Sequence, residues 1–114
     1  MNPADLSGGM KKRVSLARSL ASNPEYILYD EPTTGLDPVM SDQIDDLIKE
    51  LAEKLKVTSI VVTHDIFSVY DVADKVAMMH EGQIYFHGTP KELVETKDRL
   101  IRDFLHRSEK TINN

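Results

Sequence analysis

The stretch Tyr26-Ile27-Leu28-Tyr29-Asp30-Glu31-Pro32-Thr33-Thr34-Gly35-Leu36-Asp37-Pro38 decides the fold. Its first four residues are apolar and rich in strand formers, which predicts a short buried strand. Two carboxylates, Asp30 and Glu31, follow at the strand's C-terminal end. Asp37-Pro38 is a strong helix start, a capping side chain followed by proline at the first helical position. From there Met40, Ile44, Leu47, Ile48, Leu51 and Leu55 trace one apolar stripe at helical spacing. A strand that runs through an acidic loop into an amphipathic helix is one unit of an α/β architecture.

Working outward, Leu6-Ser7-Gly8-Gly9 precedes a helical pattern in which Met10, Val14, Ala17 and Ala21 share a face, and Pro24 ends that region. Downstream, Val57 to Thr63 is β-branched and apolar and predicts a second buried strand, followed directly by His64 and Asp65. A short helix is expected from about Ile66 to Ala73, a third strand over Val76-Ala77-Met78-Met79, and a fourth from Gln83 to His87 after a turn at Glu81-Gly82. Thr89-Pro90-Lys91-Glu92 is a capping box that opens a last helical region reaching about Arg107, broken near Thr96. Residues 108–114 form a polar tail, expected to be disordered. Strands alternating with helices imply a largely parallel sheet, with ligands held just past the strand ends.

Composition narrows the function classes. The 114 residues suffice for one domain, and 40% of them are hydrophobic. With 14 basic and 19 acidic side chains the net charge is −5, which argues against a nucleic-acid binder. There is no cysteine, so disulfides and thiolate metal sites are excluded. No apolar run is long enough to span a bilayer, so no direct membrane insertion is expected and a membrane role requires a partner.

Four features carry chemistry. Ser7-Gly8-Gly9 before a helix lets backbone approach an anion that the helix N-terminus favours. Asp30 at a strand end suits a magnesium ion held through its water shell, and Glu31 beside it can polarise a water. Gly35-Leu36-Asp37-Pro38 is a turn and helix cap. His64 at a strand end can bond a phosphate or position a water. Singly, each is also an ordinary turn, cap or solvated loop.

In this order and spacing, from Leu6 to the Gly88-Thr89-Pro90 helix start, the four features resemble the ATPase domain of ABC transporters. The resemblance implies an α/β, partial P-loop NTPase fold over residues 1–107, with a largely parallel sheet flanked by helices and a C-terminal β-hairpin. It implies ATP and Mg2+ as ligands of the complete subunit. It assigns Ser7, Gly8 and Gly9 to the signature motif that contacts the γ-phosphate of ATP on a second, identical subunit. Asp30 becomes the Walker B magnesium support, Glu31 the carboxylate that orients water, Asp37 part of the loop that touches the partner, and His64 the switch histidine. The implied partners are that second ATPase subunit and membrane permease subunits, at the cytoplasmic face of the inner membrane.

The cationic half of the expected chemistry is missing. None of the five glycines is followed by lysine, so the Walker A phosphate cradle and its strand are absent. In P-loop ATPases that strand lies between the switch-histidine strand and the next, here Val57–Thr63 and Val76–Met79. The gap would leave buried backbone groups unpaired at about 1–3 kcal/mol each, against a folding stability of about 5–15 kcal/mol. The isolated chain is therefore expected to be poorly folded or prone to association.

Met10, where the signature usually has glutamine, and Leu6 through Val14 look like the ATPases of MCE-associated, Mla-type phospholipid transporters. Methionine is also a tolerated substitution at a core-facing helix position. ATPases of other importers or exporters, chromosome-structuring and DNA-repair ATPases, and a non-catalytic interaction fragment are the other readings. The Thr63-His64-Asp65 turn and the Gly82 hairpin favour a transporter. The chain alone is expected to show no magnesium-dependent ATP turnover in a phosphate-release assay. Turnover that disappears in Glu31→Gln would overturn that expectation.

Overall fold

The computed structural model describes Lys11, Val14, Ala17, Arg18 and residues 20–113. The chain divides into two compact units, Met1–Thr63 and His64–Asn114.

In the first unit, Lys11, Val14, Ala17, Arg18, Leu20 and Ala21 are helical. Asn23 takes a left-handed φ of 54° and its N–H donates to the Leu20 carbonyl at 3.0 Å, the stop expected just before Pro24. The apolar face read from Val14, Ala17 and Ala21 is exposed rather than packed. Strand β1 (Tyr26–Asp30) then pairs in parallel with β2 (Thr58–Val62), Tyr26 opposite Thr58 and Asp30 opposite Val62. Helix α1 (Pro38–Leu55) links them and packs on β2, the crossover that parallel strands require. It starts where Asp37-Pro38 placed it and ends at Lys56, left-handed at φ 58°.

Alternation along the strand pair sorts its two faces. Ile27 and Tyr29 are buried, as are Met40, Ile44 and Ile48 of α1. The opposite face shows Tyr26, Leu28, Ile60 and Val62, each more than half exposed. Parallel sheets normally have both faces covered; here α1 covers one. The end of the α1 stripe is also uncovered, with Leu55 exposed.

The second unit opens with α2 (Ile66–Val72), capped by Asp65, whose Oδ1 accepts from the N–H groups of Phe67 and Ser68 at 3.0 and 3.3 Å. Strands β3 (Val76–His80) and β4 (Gln83–Gly88) form an antiparallel hairpin. Both turn residues are left-handed, Glu81 at φ 50° and Gly82 at 75°, as a type I′ turn requires. Helix α3 (Pro90–Glu95) has the expected reciprocal capping box between Thr89 and Glu92. Helix α4 (Arg99–Asn113) follows the expected break at Thr96, with Asp98 Oδ2 accepting from Ile101 N–H at 3.1 Å. Ile66, Leu93, Ile101 and Leu105 form the core, with Val69, Tyr70, Val76, Met78 and Phe86 packed against it.

Among the described residues the four strands form two two-stranded sheets, β1 with β2 and β3 with β4. One expectation changes: the helical region does not stop at Arg107, and α4 continues to Asn113. The physical reason is visible at Glu109, which accepts a hydrogen bond from the Tyr70 hydroxyl at 3.1 Å and ties the last turns to α2.

Ile48, 1% exposed, is the most deeply buried side chain of α1. Ile48→Ala should cost about 2–5 kcal/mol, read as a lower urea midpoint at unchanged slope. Burial, then the bond to Glu109 and that carboxylate's charge, push the Tyr70 phenol up to about 12. The unfolded phenol ionises near 10, so the folded state holds this proton more tightly. The contribution is complete below pH 10 and is lost as pH rises to about 12. Tyr70→Phe should therefore flatten the fall in stability between those two pH values, measured by denaturant unfolding.

Candidate functional site

The candidate residues of the first unit sit on one short path out of β1. Asp30 is the strand's last residue and is exposed. Glu31 extends the ladder by one bond, its N–H donating to the Val62 carbonyl at 2.7 Å. It does so at φ 50°, a left-handed conformation that costs a residue with a side chain about 1–2 kcal/mol. Backbone strain of this kind concentrates at functional loops.

Two turns follow. Thr34 N–H donates to the Glu31 carbonyl at 3.3 Å, closing a turn with Pro32 at its second position, where a fixed φ is favoured. Leu36 N–H donates to the Thr33 carbonyl at 3.2 Å, closing a second turn with Gly35 at its third position and φ 81°, which suits glycine. Thr33 is buried between them in sequence, at 6% exposure. The path ends at Asp37, whose Oδ1 accepts from Met40 N–H at 2.8 Å and whose carbonyl accepts from Ser41 N–H at 2.9 Å. Asp37 is thus a working helix cap.

The loop therefore brings Asp30, Glu31 and Asp37 onto eight consecutive residues with a defined backbone. Carboxylate oxygens are hard donors, and an exposed Asp30 at a strand end is of the type that holds magnesium through water. His64 follows β2 and begins the second unit, exposed, just before the Asp65 cap of α2. Ser7, Gly8 and Gly9 lie outside the described residues.

Reading the sequence for chemistry passed over Thr34. Its hydroxyl donates to Glu31 Oε2 at 3.2 Å. The available signal was spacing: a hydroxyl residue three positions after an acid, across a proline turn, is placed to fold back on it.

Comparison with known proteins gives a consistent picture. The family model described as ABC transporter matches residues 1–34. The ATP-binding protein MlaF of the Haemophilus influenzae intermembrane phospholipid transport system is 42% identical over 90% of this chain and 39% of its own length. The arginine transport ATP-binding protein ArtM of Bacillus subtilis is 43% identical over 92% of this chain and 44% of its own. Among solved structures, cbiO1 from Clostridium perfringens, part of the ABC transporter complex cbiONQ, matches with a TM-score of 0.73. It is 38% identical and covers 92% of this chain and 41% of cbiO1. The ATP-binding cassette MJ0796, in a dimeric post-hydrolysis structure bound to ADP and Pi, matches with a TM-score of 0.65. It is 37% identical and covers 78% of this chain and 38% of that one.

The chain thus spans well under half the length of these relatives. An arginine transport protein is as similar as the phospholipid one, so likeness does not single out the Mla type. In sequence and in fold, the chain is similar to a segment of ATP-binding proteins of ABC transporters.

Proposed function

We propose that this chain supplies the Walker B, D-loop, switch and signature residues of a transport-coupled ATPase, and that it acts only when joined to the phosphate-loop half. The observation that carries the reading is the loop from Asp30 to Asp37. It sets two carboxylates at the end of a parallel strand, with one of them on a strained backbone that a ladder bond and a turn fix in place.

Phosphoryl transfer asks for positioning and charge stabilisation more than covalent chemistry. Asp30 would hold a hydrated magnesium ion, which would supply neutralisation of phosphate charge. Glu31 accepts a hydrogen bond from the attacking water and orients it in line. His64, at the head of the second unit, bonds the γ-phosphate. Ser7, Gly8 and Gly9 close on the nucleotide of the second subunit, beside a helix start that favours an anion. Asp37, while capping α1, lies in the stretch that meets that subunit. The dimeric form of MJ0796, bound to ADP and Pi, supports a second subunit as partner.

Among the described residues no helix is long and apolar enough to cross a membrane. Likeness to the ATP-binding proteins of transport systems supports a subunit that works from the cytoplasmic face of the inner membrane, bound to permease subunits. The proposed cargo is phospholipid or another lipid, supported by Met10 in the signature and by the MlaF relative. The arginine relative supports a polar solute instead. Reconstituted complex moving labelled phospholipid between vesicles, with no response to arginine, would decide for lipid.

In the complete subunit, Glu31→Gln should lower ATP turnover on the order of 100-fold or more while nucleotide still binds. The check is phosphate release beside fluorescent-nucleotide titration. Turnover that survives the substitution would remove Glu31 from this role.

A further inference from the structure

The Glu31–Thr34 turn ties the same two residues together twice. The Thr34 amide reaches the Glu31 carbonyl at 3.3 Å, and the Thr34 hydroxyl reaches Glu31 Oε2 at 3.2 Å. A carboxylate has no hydrogen to give, so the hydroxyl is the donor. The other end of Glu31 is pinned by its own N–H on Val62. Pro32 inside the turn removes a soft backbone angle. The glutamate side chain is a partly exposed group with three rotatable bonds. The Thr34 bond is the contact that the turn adds to it.

We propose that Thr34 is a positioning residue for Glu31: its hydroxyl holds the carboxylate in the orientation from which it acts on water. The inference rests on Glu31 being the water-orienting carboxylate. It differs from that reading in assigning work to Thr34, a side chain to which that reading gives no role. It requires a hydroxyl at position 34, since valine matches threonine in shape but cannot donate, and serine keeps the donor while dropping the methyl group. The threonine is exposed, so its replacement leaves the buried core of the unit as it is.

The test uses the complete ATP-binding subunit assembled with its permease, with ATP turnover measured against ATP concentration. Thr34→Val should lower kcat roughly tenfold, the loss expected for one hydrogen bond to a charged group, with KM within about twofold. Thr34→Ser should restore kcat to within about twofold of the starting enzyme. On a Glu31→Gln background, Thr34→Val should add nothing further, because the two side chains act as one unit. Unchanged kcat in Thr34→Val, a serine variant as slow as the valine one, or full additivity with Glu31→Gln would overturn the proposal. If Glu31→Gln alone retains turnover, the assignment of Glu31 has failed first, and that result is separate from the behaviour of Thr34.

Discussion

The bond from Glu31 N–H to the Val62 carbonyl is where the site departs from the sheet. It is one rung beyond the regular ladder, which ends with Asp30 opposite Val62. To make it, Glu31 must enter the left-handed region, and that reversal sends the chain into the two turns that lead to the Asp37 cap. That rung gives the loop a fixed origin beside β2, while α1 is held on the strands by its own buried face. A single short hydrogen bond, an unfavourable backbone angle and a helix cap thus form one chain of dependence, from parallel pairing to the placement of carboxylates.

Much of the architecture was legible because local signals and tertiary outcome agree. Asp37-Pro38 and the Thr89–Glu92 box start helices in the structure as their chemistry dictates. Glu81-Gly82 makes the hairpin turn, and the break at Thr96 separates α3 from α4. Ile27 and Tyr29 are buried, as the strand pattern implied, but Tyr26 and Leu28 are not. An apolar run marks strand faces for burial and does not supply what buries them. The same holds for Val14 in the first helical segment, half exposed despite its helical spacing. Composition misjudged the end of α4, because the polar character of residues 108–113 gave no hint that Glu109 would be held by Tyr70, far away in sequence.

At the site, residue types and order pointed to Asp30, Glu31, Asp37 and His64, and the first three share one continuous loop. Thr34 escaped notice because its spacing from Glu31 permits a bond to that carboxylate, while the bond itself depends on side-chain angles. His64 begins a separate compact unit, so its relation to the carboxylates is set by tertiary structure and not by the sequence between them. The cargo lies further out of reach: phospholipid and arginine transport proteins resemble this segment to nearly the same degree.

Glu31 occupies a backbone position that glycine would fill with less strain. The residue that would most relax the loop is therefore the one that deletes the carboxylate. Under the role proposed for Glu31, selection for a more stable protein and selection for turnover pull this position in opposite directions. On that proposal, a copy released from turnover is free to relax this position toward glycine or asparagine. The identity of this one residue would then record whether a given copy still works as an engine or has been kept as scaffolding.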